Sequence, residues 1–351
     1  MRSFPPVHPV HPVHRRFCLI LLPLLLALSA AARADSPTAL RMTHRAMGTE
    51  FEFVLLGDSP DTDIELLRAA GQTAFEAIDA LEQRISNWIP ESPVSVMNRL
   101  ASIEPVTVDH DVFELLRLAR RFYEETDGAF DVTVGPLLEL WGFYGKKGET
   151  PTAETLAKAR EKVGFNHVLM DLDTRQVRFE KPGMHVDFGG IGKGLALDRA
   201  AEILKQQGVN RFRIHGGTST FVVCGAPPTG ENWTVDIYPP YNICGGVSAV
   251  AEIALSEESL STSAAAANEV EVSGRKRGHI FDPRTGMPVD NGVLAATAVA
   301  PTGAESDALS TAFFVMGLEK TREYCGKHPS VRAVLSSEKD GAPVTAHINF
   351  P

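Results

Sequence analysis

From Arg211 onward, strand-like segments follow one another with little helix between them. "RFRIHGG", "STFVVCG", "WTVDIYP", "VSAVAEIAL" and "LAATAVA" are strand candidates separated by turn residues, and the chain closes on a hairpin, "VRAVLSS" with "VTAHINF". Strands that come in runs, without strict alternation with helices, predict an α+β fold with a largely antiparallel sheet packed with helices. The first half supplies the helices. "MGTEFEFVLLG" alternates like a strand, and Ile64, Leu67, Ala74, Phe75, Ile78, Leu81 and Ile85 then recur at helical spacing. "SNWIPESPVSVMN" reads as a Pro-rich loop, and Asp109 opens a second helix that ends before Asp127-Gly128. A short helix near 152–163, the hairpin "VLMDLDTRQVRFE", a helix closed by Gly208 and a helix over "SDALSTAFFVM" complete the pattern.

The first 34 residues stand apart. Arg15 and Arg16 precede an apolar run from Phe17 to about Ala31, and Ala32-Arg33-Ala34 presents the small residues a signal peptidase reads. The run is broken by Pro23 and is shorter than the roughly 20 residues that span a bilayer, so a cleaved signal peptide over 1–34 and a single domain over 35–351 are expected. Export to a bacterial periplasm follows, by the Sec or the twin-arginine route, with the mature protein not membrane-spanning and either free or associated with the inner membrane. The chain holds 34 basic and 44 acidic residues; a leader with four Arg and no acid leaves 30 against 44, a net of −14. That balance argues against nucleic acid or anionic lipid as a partner. Cys18 leaves with the leader, and the spacing of Cys224, Cys244 and Cys325 fits no zinc pattern. Whether Cys224 and Cys244 pair is open at this level.

Three stretches carry chemistry. "DFGGIGKG", residues 187–194, sits between a strand-like run and an amphipathic helix. It lacks the first Gly and the Ser or Thr of a P-loop, and Leu195 stands where a dinucleotide fingerprint needs Gly or Ala. The general physics survives: glycines let backbone N–H groups approach a ligand, the helix N-terminus favours an anion, and Lys193 adds a charge. A tight strand-to-helix turn would select the same residues. In "GHIFDPRTGMPV", His279, Asp282, Arg284 and Thr285 crowd a Pro/Gly turn. His279 can take a proton from a hydroxyl within hydrogen-bond reach, although "DPRTG" is equally good turn chemistry. In "ESDALSTAFFVMG", Asp307 and Thr311 stand four apart and share a helix face. A carboxylate and a hydroxyl are hard oxygen ligands suited to Mg²⁺, which keeps waters and substrate phosphates in the rest of its octahedron. A solvated helix face gives the same pattern.

Together and in this order, "MGTEFEF", "SNWIPESPVSVMN", "TDGAFDVTVGPLLELWGF", "VDFGGIGKGLALDRAAEIL", "GHIFDPRTGMPV" and "SDALSTAFFVMG" resemble the FAD:protein FMN transferase family called ApbE along nearly the whole mature chain. The resemblance implies a T-fold-like flavin transferase architecture. It also implies an Mg²⁺-dependent enzyme that cuts the pyrophosphate of FAD, moves FMN to a Thr or Ser hydroxyl of an acceptor protein and releases AMP. The acceptor class it suggests is a subunit of a membrane redox complex. On that resemblance Asp307, Thr311 and the carbonyl of Gly190 hold the metal. Met47 and Trp88 pack on the flavin or adenine, and Ala129, Phe130 and Asp131 line the dinucleotide. Asp187, Lys193 and Ile280 contact it too. His279 is the base, with Asp282 and Thr285 shaping its loop and bonding near the reacting phosphate. Two alternatives share the site: an FAD pyrophosphatase yielding FMN and AMP, and a non-catalytic FAD-binding protein. The chain departs from the family at Thr218-Ser219-Thr220, where Asp or Asn usually accompanies the glycines, and at Ala264, where "TSG" is usual.

Overall fold

The computed structural model describes residues 37–144, 150–238, 249–264, 269–272, 275–339 and 342–351. The leader and Cys244, with its open pairing to Cys224, lie outside them. Strands β1 (Ala39–Ala46) and β2 (Thr49–Leu56) form a hairpin over the two-residue turn Met47-Gly48, whose φ values of 49° and 70° are both left-handed. Such a turn matches the right-handed twist of the strands, at some strain for the non-glycine Met47. Helix α1 (Ile64–Ile85) starts on an Asp63 cap and buries Leu67, Ala74, Phe75, Ile78, Leu81 and Ile85 of the expected stripe, while Ile64 in its first turn stays exposed. The segment read as a Pro-rich loop holds a helix instead, α2 (Pro93–Leu100). Ser92 caps it and Pro93 sits in its first turn, where a missing N–H costs nothing, so this proline starts a helix.

Next come β3 (Val106–Thr107), α3 (His110–Glu125), the short α4 (Gly135–Leu140), α5 (Ala153–Arg160), β4 (Val168–Met170) and β5 (Gln176–Phe179). Helix α6 (Gly192–Gln206) ends at Gly208, φ 81°. Then β6 (Arg211–Gly216), β7 (Thr220–Cys224), β8 (Trp233–Ile237), β9 (Ala251–Leu255) and β10 (Ser259–Ala264) follow in succession. Beyond the hairpin of β11 (Glu269–Val272) and β12 (Arg275–Gly278) lie β13 (Phe281–Asp282), β14 (Met287–Pro288) and β15 (Val293–Ala300). Helix α7 (Gly303–Lys327), broken at Gly317, and the hairpin of β16 (Arg332–Lys339) with β17 (Ala342–Ile348) end the chain. The carbonyls of Phe314 and Val315, next to the break, accept from the Asn291 amide at 2.9 and 3.2 Å.

Eight strands form one sheet in the order β1-β2-β6-β7-β10-β15-β16-β17, and every neighbouring pair is antiparallel. The expected α+β class is what the chain adopts. Alternation along each strand sends its residues to two different cores. On one face Phe51, Phe53, Leu55 and Ile214 pack under α1, α6 and α7. On the other, Leu56, Val223, Leu260 and Val334 are covered by the β8–β9 hairpin through Trp233, Val235, Ile253 and Leu255. "WTVDIYP" and "VSAVAEIAL" are thus strands as expected, yet they form a lid over the sheet and take no place in it.

Candidate active site

The N-terminal turns of α6 and α7 meet backbone to backbone. A Cβ placed on Gly194 would lie 2.0 Å from the Gly303 carbonyl oxygen, so only glycine permits the approach. At that crossing the helices exchange carboxylates. Asp198 of α6 accepts from the Gly303 and Ala304 N–H groups of α7, at 2.6 and 2.9 Å. Asp307 of α7 accepts from the Gly194 N–H of α6 at 3.0 Å. The other Asp307 oxygen accepts from Ser261 at 3.1 Å and Thr220 at 3.4 Å, with the Lys193 ammonium 3.8 Å away. Burial pushes the Asp198 carboxyl up to about 6, against the lowering by its two N–H bonds, and the Glu305 and Asp307 charges add to the rise.

Asp307 is only 4 % exposed, but it borders a cavity of about 490 Å³. One turn on, Thr311 borders the same space, its hydroxyl 3.3 Å from that of Ser263. Gly190 completes this corner: a Cβ there would stand 3.3 Å from the Phe130 ring and 3.4 Å from the Thr311 hydroxyl, filling the gap beside it. Lys193, Thr218, Ser219, Thr262 and Ser263 form the cavity's more polar lining, although the Thr262 hydroxyl itself pairs with that of Thr297 at 2.9 Å. Ala129, Phe130, Val132, Leu138, Ile280 and Phe281 form the apolar one. A pocket with an apolar lining and convergent polar groups suits a flat ring system carrying a charged tail.

His279 and Ile280 enter the cavity from the loop before β13. Asp282 and Thr285, expected beside them, do not line it. Asp282 is clamped by the Arg284 guanidinium at 2.8 and 2.9 Å, and by the Arg284 N–H at 3.0 Å. Thr285 is exposed and its hydroxyl stays inside the turn, 3.4 Å from the Asp282 carbonyl. Both residues build the loop that carries His279, and the charge of Asp282 is already matched within that loop.

A second cavity of about 460 Å³ adjoins the first and shares Met47, Gly48, Asp187, Gly189 and Lys193 with it. Trp88, 69 % exposed, forms its rim and meets the Tyr144 ring edge-on at 5.7 Å. Asp187 sits on the shared wall, held by the Gly189 N–H at 2.8 Å, the Tyr144 hydroxyl at 2.8 Å and the Asn87 amide at 3.1 Å. Asn98 braces this clasp, donating to Asn87 at 3.1 Å and exchanging two 2.9 Å bonds with the Val186 backbone.

The sequence matches the ApbE family over residues 47–335. The chain belongs to the ApbE family. It is 31% identical over 324 residues to a FAD:protein FMN transferase of Klebsiella pneumoniae, covering 91% of each chain. It is 30% identical over 267 residues to one of Escherichia coli, covering 75% of each. Among solved structures, the flavin transferase ApbE of Vibrio cholerae superposes with a TM-score of 0.76 at 25% identity, over 89% of this chain and 97% of that one. The ApbE protein of Thermotoga maritima does so with 0.77 at 29%, over 88% and 97%.

With the ApbE fold in place, most expected site residues share two adjoining cavities: Gly190, Asp307, Thr311, Ala129, Phe130, Asp131, His279 and Ile280 in the first, Trp88 in the second, and Met47, Asp187 and Lys193 in both. Asp131 reaches the cavity wall but is 6 % exposed, and its Oδ1 accepts from the Thr133 N–H and hydroxyl at 2.8 and 2.7 Å. Burial raises its pKa to about 6 despite these bonds. The glycine loop also differs from expectation. The Ile191 and Gly192 N–H groups both donate to the Phe188 carbonyl, and that of Gly194 donates to Asp307. These amides serve the turn and the helix crossing, and the Lys193 ammonium is the one formal positive charge in the loop. Asp198, Asn87, Asn98 and Tyr144 escaped the sequence reading. Only the position of Asp198 one turn after Gly194 could have signalled any of them.

Proposed function

We propose that this protein transfers FMN from FAD to a Ser or Thr hydroxyl of an acceptor protein and releases AMP. One observation carries the reading: Asp307, Thr311, Lys193 and His279 converge on one cavity that apolar side chains, among them Phe130, Leu138 and Ile280, also line. Asp307 and Thr311 with the Gly190 carbonyl offer a hard-oxygen donor set with a single carboxylate. Among the described residues no three of His, Cys, Asp and Glu gather as a metal cage. Such a sparse set suits Mg²⁺, which takes most of its shell from water and phosphate oxygens. When bound there, Mg²⁺ would offset the negative charge of the pyrophosphate.

The chain's own groups divide the remaining work. The apolar lining holds the isoalloxazine, the second cavity leaves room for the rest of the dinucleotide, and Lys193 on the shared wall meets the phosphates between them. His279 accepts the proton of the acceptor hydroxyl. The freed oxygen forms a bond to the FMN phosphorus while the phosphorus–oxygen bond to AMP breaks, and AMP leaves with the electron pair. The apolar run after Arg15-Arg16 supports export, so the acceptor is sought in the periplasm, among subunits of membrane redox complexes.

The test follows AMP release and acceptor mass together, with FAD and Mg²⁺, with and without an acceptor bearing a Ser/Thr flavinylation motif. Transfer adds one FMN to the acceptor. AMP without that mass marks a pyrophosphatase, and neither product marks a carrier. Asp307→Ala should lose metal-dependent transfer while remaining folded; full activity in that variant would refute the metal assignment.

A further inference from the structure

We infer that Asp198, outside the cavity, is a positioning residue for Asp307: it latches α7 onto α6 and so fixes the direction in which the Asp307–Thr311 pair faces. The inference rests on the metal reading above for its purpose, but not for its geometry. Gly194 and Gly303 touch backbone to backbone, and the latch runs in both directions across them. The Asp198 carboxylate takes the first two N–H groups of α7. In return, Asp307 takes the Gly194 N–H of α6. A residue on each helix satisfies donors that its partner helix leaves open at its N-terminus. Helix α7 already has its own cap, the Thr302 hydroxyl accepting from the Glu305 N–H at 3.2 Å. Asp198 is therefore an addition to ordinary capping, and what it adds is a fixed register between two helices.

That register matters because the pair reaches one corner from one helix. Thr311 lies against Gly190 within a Cβ's breadth, and Asp307 meets Ser261 and Thr220 on strands β10 and β7. Rotating α7 by a fraction of a turn would carry Thr311 away from Gly190 and Asp307 away from Ser261 and Thr220 together. Groups that orient metal ligands from behind typically govern affinity by 10- to 100-fold.

The experiment compares Asp198→Ala, Asp198→Asn and Thr302→Ala in the full chain without FAD. It measures Mn²⁺ affinity by titration, and exchange of the Gly194 amide in a fragment spanning 188–196. Asn keeps an acceptor oxygen and Ala keeps none, while both remove the same charge. The latch predicts that Asp198→Ala weakens Mn²⁺ roughly 10-fold or more and speeds Gly194 exchange on the opposite helix, with Asp198→Asn intermediate. Thr302→Ala should speed exchange only within α7 and leave Mn²⁺ affinity within about threefold, as loss of a local cap would. Equal effects of Ala and Asn, or unchanged Gly194 exchange in Asp198→Ala, would overturn the inference. A Thr302→Ala variant as damaging to Mn²⁺ binding would overturn it too. If Asp198→Ala does not fold, Asp198→Asn against Thr302→Ala decides the same question. Should the parent protein bind no Mn²⁺, the metal reading fails, and the exchange measurement still decides the latch.

Discussion

The cavity has two chemically active halves built in opposite ways. In the helical half, Asp307 is buried, receives hydrogen bonds from two strands and a second helix, and is mounted where two glycine backbones touch. In the loop half, His279 precedes a turn secured by side chains: Asp282 with Arg284, the Arg160 guanidinium on the Arg284 carbonyl at 2.6 Å, and from the core side the buried Trp141 indole on the Gly286 carbonyl at 3.1 Å. The helical half is preorganised and can hold charge without rearranging, which is what a metal and a diphosphate demand. The loop half is held through side chains, which repack more readily than touching backbones, and on the proposed reading it carries the base that meets the acceptor hydroxyl. On the proposed function, the largest effect should come from the base assigned to the loop half. His279→Ala is expected to slow FMN transfer by about 10²- to 10⁴-fold, the range for a positioned base. FAD affinity should hold within a few-fold, as measured by equilibrium titration beside single-turnover transfer. A parallel loss of FAD binding would mean that His279 holds the substrate.

Glycine substitutions sharpen the contrast. In Gly194→Ala the new Cβ meets the Gly303 carbonyl at 2.0 Å, backbone against backbone, so the helices must separate at a cost of about 3 kcal/mol or more. In Gly286→Ala the nearest atoms are Arg160 Cγ and Leu156 Cδ1 at 2.8 and 2.9 Å, side chains that give way more readily than a backbone, and with the left-handed φ of 73° the cost is about 1–2 kcal/mol. Chemical denaturation of the two variants would measure the difference. If Gly286→Ala proved the more damaging, the loop half would be the rigid one.

Asp131 gives a smaller effect with a defined sign. Its folded pKa of about 6 lies above the ordinary carboxylate value of 3.8, so the stability it contributes is full below about pH 4 and is lost as pH rises through 6. Asp131→Asn lacks this titration. Between pH 4 and pH 8 the variant should gain on the parent by about 1–3 kcal/mol in unfolding free energy. A gap that is constant with pH, or that narrows in the opposite direction, would mean the carboxylate is better solvated than its 6 % exposure implies.

What the sequence revealed follows the range of each interaction. The pairing of Asp307 with Thr311 is local, four residues on one helix, and the glycine loop announces itself by composition. Runs of strand separated by turns were enough for the α+β class. The clasp on Asp187 was invisible, because Asn87 reaches it across 100 residues of chain. Asp198 looks in sequence like any polar residue of an amphipathic helix, and its function exists only once α7 lies across α6. The misread loop at 86–98 shows a different limit: proline is punctuation of either sign, and Ser92 before Pro93 is what turned it into a helix start. The family resemblance implies that Asp282 and Thr285 shape the His279 loop and bond near the reacting phosphate; they do shape the loop, but neither lines the cavity. In the folded loop their side chains are spent on the turn itself.

That reassignment supplies the smallest and most discriminating test of the two-halves picture. If Asp282 acts only through the shape of its loop, its partner Arg284 should matter equally, and the pair should behave as one unit. Asp282→Ala and Arg284→Ala should each lower transfer by about 3- to 10-fold, and the double variant should be scarcely worse than either. The coupling so defined should be about 1 kcal/mol, as for a partly exposed, bidentate pair. Arg284→Lys should not restore the parent rate, since a lysine cannot grip both carboxylate oxygens in one plane. Thr285→Ala, whose hydroxyl touches only the turn, should change transfer by less than about threefold. An Asp282→Ala variant far worse than Arg284→Ala would return the carboxylate to the reaction itself, and the loop half would then share the fixed, charge-bearing character of the helical one.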